Sequence, residues 1–277
     1  MVARTDPGLV REHNEDVVFV NPDSGLVILA DGMGGYNAGE VASGLAASFL
    51  ASALTTSFFD PGPSAKEDGE YPSAARCLER SIDQANTAIY NAAHSESSFS
   101  GMGTTLVMGV FSDDRITVAH VGDSRLYRLR DGQLAVMTRD HSLLQEQIDL
   151  GMITVEEARF AHNKNLVTRA LGVEPTVESE INEYGALPGD IYLFCSDGLN
   201  DMLCDEDIHL TLQTLSTNLE LAAEQLIRQA NGNGGRDNIS VALVKVLQAF
   251  PGRLECRTRG EFDEECDEEH GGGQWQS

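Results

Sequence analysis

Apolar residues along the chain follow two different periods. Short runs of β-branched and aromatic residues, bounded by Gly, Asp or Asn, occupy positions 17–20, 26–30, 105–111, 116–121, 125–129, 191–195 and 239–246. Each reads as a strand, because branched side chains pack well on a pleated surface and the bounding residues favour turns. A helical period replaces this pattern in two long stretches. One aligns Val41, Leu45 and Phe49; the other aligns Leu78, Ile82, Ala85 and Ile89. They predict two consecutive antiparallel helices joined by the Pro- and Gly-bearing segment 60–69. Asn218 is placed to cap a third helix with the stripe Leu219, Ala223, Leu226 and Ala230.

Between positions 105 and 137 strands succeed one another with no helix between them, which argues against an alternating βαβ order. The expected class is therefore α+β, with antiparallel sheets packed on each other and helices outside. Residues 140–172 lack strand patterning and carry Thr154 and Glu157 at capping-box spacing, so they read as a small helical flap. From position 251 the core-forming residues disappear, and seven carboxylates between Glu261 and Glu269 precede a GGG tract. The expected organisation is one domain over 1–250 and a disordered acidic tail over 251–277.

The formal net charge of -25 and the scarcity of basic runs disfavour nucleic acid and anionic membrane as partners, since both attract Lys and Arg. The cysteines Cys77, Cys195, Cys204, Cys256 and Cys266 form no CxxC pair and are odd in number, so they read as reduced thiols. The first residues lack the apolar core of a signal peptide, and a cytoplasmic location is expected.

Charge becomes informative by position. Glu15 and Asp16 precede a strand, Asp31, Asp123 and Asp197 follow strands, and Asp237 precedes one. Any one Asp-Gly pair, such as Asp31-Gly32 or Asp197-Gly198, is explained by a turn. Several carboxylates at strand ends instead converge in space, where their repulsion is relieved by cations. Oxygen donors without His or Cys at ligand spacing suit magnesium or manganese and disfavour zinc.

The stretches that hold these residues are TDPGLVREHNED, ADGMGGYNAGEVAS, GMGTTL, HVGDSRLY, CSDGL and GGRDNISV, in that order between positions 5 and 241. They closely resemble the metal-dependent protein serine/threonine phosphatases of type 2C, in their compact bacterial form. The resemblance implies a four-layer αββα sandwich with metals in a cleft at one end. It implies that Asp31 bridges two Mn2+ or Mg2+ ions, with the Gly32 backbone oxygen on one and Asp197 and Asp237 on the other. Asp123, shared with Asp197, matches the position of a third, weaker ion. Glu15 and Asp16 would orient waters at the metals, and Arg11 matches the phosphate-binding position. The implied reaction is hydrolysis of phosphoserine and phosphothreonine in phosphorylated proteins by a metal-bridging water. A monomer opposing a serine/threonine kinase follows by the same resemblance.

Other positions carry less. Arg11 alone reads as a surface arginine, and only the NED that follows raises phosphate binding above that. His141 and His162 border the flap and read as solvated loop histidines. Thr104 and Thr105 read as strand residues with satisfied hydroxyls, and Asn238 as a brace for the loop holding Asp237. Some relatives carry His two positions after the bridging Asp, as an acid for the leaving group; here that residue is Met33. Two rival classes stay open at this point: a silent phosphoprotein-binding fold, and a two-metal nuclease or phosphodiesterase.

Overall fold

A computed structural model of the chain describes residues 1–35, 38–59, 73–158 and 166–250, without the side chains of 56–59 and 155–156. The strands are β1 (Val2–Asp6), β2 (Asp16–Asn21), β3 (Leu26–Met33), β4 (Gly103–Thr104), β5 (Leu106–Ser112), β6 (Arg115–Val121), β7 (Arg125–Arg130), β8 (Gln133–Val136), β9 (Glu180–Gly185), β10 (Ile191–Cys195) and β11 (Ile239–Lys245). The helices are α1 (Ala38–Phe59), α2 (Ala74–Ser95), α3 (Leu143–Asp149), α4 (Val155–Ala158), α5 (Asp197–Asn200), α6 (Asp205–Thr214) and α7 (Leu219–Gly232).

Two antiparallel sheets result. One runs β1-β11-β10-β7-β8, and the other runs β2-β3-β5-β6-β9 with β4 pairing on β3. Strand alternation assigns each face. In β3, Leu26, Ile28 and Ala30 join the core under α1 and α2, while Val27 and Leu29 face the other sheet. In β10, Ile191, Leu193 and Cys195 meet the α6 and α7 side, while Tyr192 and Phe194 turn inward between the sheets. The layers are therefore helix, sheet, sheet, helix, as the α+β sandwich requires. Hairpin turns place Asp113, Asp114 and Asp131 at positive φ, which suits Asp in the tight turns that join β5 to β6 and β7 to β8.

The helices begin at side-chain caps. Ser73 accepts from the Arg76 N–H at 3.3 Å to start α2, and Asn218 accepts from the Leu221 N–H at 3.1 Å to start α7. Thr154 and Glu157 form the expected reciprocal box at α4. The stripe expected for α2 is buried, and α7 buries Ala222, Ala223, Leu226 and Ala230.

The expected face of α1 is displaced. Its buried apolar side chains are Ala38, Ala42, Ala46, Ala47, Leu50 and Leu54, whereas Val41 and Phe49 are half-buried and Leu45 is exposed. Alanines let this helix approach the sheet and α2 closely, so its inward face is marked by small residues and the larger ones flank it. The window Ala38–Thr55 has the length and a mean hydropathy (1.2) of a membrane span, but here it packs as a core helix.

Besides the two-residue β4, strands β1, β8 and β9 fall outside the expected set. All three lie at sheet edges, where one neighbour and a wet face remove the apolar signature; β9 reads EINEYG. Cys77, Cys195 and Cys204 are free thiols. The segment 60–69, His162, Cys256, Cys266 and the acidic tail lie outside the described residues.

Candidate metal centre

Pairing of β2 with β3 sets Asp16 opposite Asp31 at one end of the six-stranded sheet. The end of β10 delivers Asp197 into the first turn of α5, the loop after β6 delivers Asp123, and the residue two before β11 is Asp237. These ends meet. The half-buried Asp31 carboxyl stands well above the usual carboxylate range, from desolvation first and then the negative charges of Asp16, Asp197, Asp123 and Asp237. Asp197 is raised likewise, by burial and then by Asp123, Asp237 and Asp201. Burial, with Asp140 and Asp201 nearby, pushes Asp123 up to about 7, and burial pushes Asp16 up to about 6. Glu15 is raised by burial, opposed by Arg11 and the Gly39 N–H.

The frame around these carboxylates is hydrogen-bonded in detail. Asp31 O accepts from the Thr105 N–H and the Thr104 hydroxyl, both at 2.9 Å. Asp31 N–H donates to Thr105 Oγ1 at 3.3 Å, and that hydroxyl is 2.8 Å from Ser124 Oγ beside Asp123. One threonine thus couples two of the acidic loops. Ser196 Oγ donates to Asp16 Oδ2 at 2.9 Å and accepts from the Ser240 N–H at 3.0 Å. Asp16 Oδ1 is buried with no protein partner among the described residues.

Asn238 reaches further than expected. Its Oδ1 accepts from the Glu15 N–H at 2.8 Å, and its Nδ2 donates to Pro7 O at 3.0 Å and His13 O at 2.9 Å. The residue therefore fastens the β1–β2 loop, which carries Arg11 and Glu15, next to Asp237. Arg11 donates to Asp237 Oδ2 at 2.6 Å, while Asp237 Oδ1 accepts from the Asn238 N–H at 2.9 Å. Gly32 sits where no other residue fits: a Cβ there would lie 2.2 Å from Gly39 O and 2.6 Å from Glu15 O. This close approach brings the N-terminal end of α1 against Glu15 and the Asp31 strand end.

The donor set fits hard divalent cations. It is all oxygen, Asp16 and Asp123 are buried and the others half-buried, and the carboxyls of Asp16, Asp31, Asp123 and Asp197 are held above their normal range by lost water and mutual repulsion, both of which a cation offsets. The open lone pairs of Asp16 Oδ1 are available to a metal-held water. Sequence reasoning missed the bracing by Thr105, Ser196 and Ser240, which have no signature outside the contacts themselves. It also misread His141, which is buried beside His120 and Glu180. Its neighbour in sequence, Asp140, gives no hint of that burial, since Asp140 pairs with Arg125.

Known proteins are similar to this chain in sequence and fold. The serine/threonine phosphatase stp of Listeria monocytogenes is 40% identical over 247 residues, covering 87% of this chain and 94% of that protein. The crystal structure of the Mycobacterium tuberculosis serine/threonine phosphatase PstP/Ppp superposes with a TM-score of 0.78 at 39% identity, covering 89% of this chain and 97% of that one. A structure of the PstP catalytic domain in complex with two manganese ions superposes with a TM-score of 0.77 at 38% identity, over 89% of this chain and 97% of that one. The family model described as protein phosphatase 2C matches residues 10–243, and the chain belongs to that family.

Proposed function

We propose that this protein serine/threonine phosphatase hydrolyses phosphoserine and phosphothreonine in proteins by direct attack of water, without a phosphoenzyme. The observation that carries this reading is the meeting of Asp16, Asp31, Asp123, Asp197 and Asp237 around one point. Asp31, Asp197, Asp237 and the Gly32 backbone oxygen would hold two Mn2+ or Mg2+ ions, and Asp123 with Asp197 a third, weaker one. Such ions, when bound, supply a bridging water of near-neutral pKa and neutralise charge on the phosphoryl group.

The protein's own groups do the rest. Arg11, fixed on the loop that Asn238 fastens, offers a forked cation to two phosphate oxygens. Glu15 and Asp16 orient waters at the cations, Asp16 through its open Oδ1. Covalent catalysis by Cys195 has no support, since burial pushes its thiol up to about 12 and leaves it protonated. We place the catalytic unit in residues 1–250, with a flap at about 140–172 and an acidic tail, acting as a cytoplasmic monomer against a serine/threonine kinase.

The test is release of phosphate from a phosphothreonine peptide with Mn2+, with Mg2+ and with chelator, beside a phosphodiester control. Turnover of the peptide only with cation is the expected result. Turnover that survives chelation, or a preference for the diester, refutes the reading.

A further inference from the structure

Behind the loop that carries Asp123 lies a buried group that the proposed reaction leaves unused. His141 grips the Gly122 residue at both ends. Its backbone N–H donates to Gly122 O at 2.9 Å, and its ring Nδ1 accepts from the Gly122 N–H at 3.2 Å. The first bond fixes the peptide that joins Gly122 to Asp123; the second fixes the peptide before it.

Gly122 needs such a grip. Its φ is +105°, and a Cβ there would lie 2.7 Å from the Cβ and Cγ2 of Thr105, so the position admits only glycine. Glycine has the freest backbone of any residue, and it directly precedes a carboxylate whose aim matters.

The ring is set for this task. A nitrogen that accepts a hydrogen bond carries no proton, so the proton of neutral His141 sits on Nε2. Burial, with His120 and Arg169 nearby, holds His141 down to about 4, which keeps the ring neutral at pH 7. Nε2 is buried without a hydrogen-bond partner among the described residues, and Glu180 Oε2 on β9 lies 3.7 Å away. The His120 ring stacks on His141 at 4.7 Å and donates from Nε2 to Arg139 O at 2.8 Å.

His120, His141 and Glu180 have ligand atoms within 4.8 Å of one another, the spacing of a metal trio. A cation would need the Nε2 lone pairs of both rings. The bonds to Gly122 N–H and Arg139 O place protons on those two atoms, so the arrangement favours clamping over ligation.

We propose that His141 is a positioning residue that aims Asp123 by clamping both peptides of Gly122, with Glu180 and His120 orienting the ring. The inference rests on the reading that Asp123 helps to hold a cation.

The first test needs no metal. In 15N-labelled, chelated protein, a coupling between the Gly122 amide nitrogen and His141 Nδ1, with the ring proton on Nε2, is the expected result. A proton on Nδ1, or ring shifts that follow added Zn2+, overturns the clamp. The second test is kinetic, in Mg2+. His141→Leu removes the acceptor and is expected to lower kcat by about ten- to a hundredfold, the scale of a misplaced group. His141→Asn offers Oδ1 near the place of Nδ1 and is expected to recover most of that loss. In an Asp123→Ala background His141→Leu is expected to cost little more, since both act through one carboxylate. Additive losses, or an Asn variant as poor as Leu, refute positioning, and the Asn comparison decides if the Leu variant does not fold. An Asp123→Ala variant with full activity refutes the Asp123 reading instead, and leaves the nitrogen coupling to report on the clamp itself.

Discussion

The guanidinium of Arg11 lies 2.6 Å from Oδ2 of Asp237, joining the loop after β1 to the loop before β11. A group proposed to bind phosphate thus touches a group proposed to bind metal. The Arg11 side chain is half exposed. Arg11→Ala is expected to forfeit about 1.5 to 3 kcal/mol of charge-assisted bonding to phosphate, or roughly tenfold to a hundredfold in kcat/KM. Mn2+ affinity, measured by calorimetry, should hold or rise, because a cation competing for Asp237 has gone. An unchanged kcat/KM toward a phosphopeptide would return Arg11 to the surface.

Asp31 stands among the acidic groups Asp16, Asp197, Asp123 and Asp237. Asp31→Asn keeps the shape and removes one charge that two cations would share. Turnover is expected to fall to background in Mn2+, with a folded protein by circular dichroism. Asp123→Ala is expected to slow turnover while two ions remain bound, because it touches only the third site. Near-normal activity in the first variant, or loss of a second ion in the other, contradicts the assignment.

Removing cations should have a pH-dependent cost in stability. Asp31, Asp197, Asp123 and Asp16 all stand above the ordinary carboxyl range, the last two at about 7 and about 6. A carboxyl raised in the folded state binds more protons there than in the unfolded chain. Its favourable contribution is full below the unfolded pKa of about 4 and is lost as pH rises through the folded value. In chelator, the melting temperature is therefore expected to fall between pH 5 and pH 8. Mn2+ should raise it more at pH 8 than at pH 5.5, since cations take the place of the lost protons. A chelated protein equally stable at both values speaks against a cluster that repels itself.

The strands that set this site announced themselves because β3, β10 and β11 are interior and apolar on both faces, so their acidic ends stood out. Asp31, Asp197 and Asp237 were legible for that reason. The edge strand β9 was not, since none of its residues is fully buried. The face of α1 was misplaced because its packing uses alanines, which carry little weight in a hydrophobic period. Thr105 and Asn238 bond to residues 74 and 223 positions away, so no local pattern reports their partners. The burial of His141 arises in the same way, from β6 and β9 closing over a segment that reads as polar loop.

The last prediction concerns Met33, the final residue of β3, two positions beyond Asp31 and paired with Gly103 of β4. A thioether cannot donate a proton, so an alkoxide leaving group must draw its proton from water or leave partly charged. An aryl phosphate does not face this difficulty, since its leaving group is stable as an anion. Met33→His is therefore expected to raise hydrolysis of a phosphoserine peptide more than that of an aryl phosphate. It should also add a falling limb to the pH profile near the imidazole pKa of about 6.5, moved up by the carboxylates or down by bound cations. The wild type should lack that limb, its kcat rising with pH and then levelling where chemistry limits turnover. A wild-type profile that falls on the alkaline side at constant metal occupancy would mean that another group already serves as the acid. Equal gains for both substrates in the histidine variant would assign its effect to binding and remove the argument from Met33.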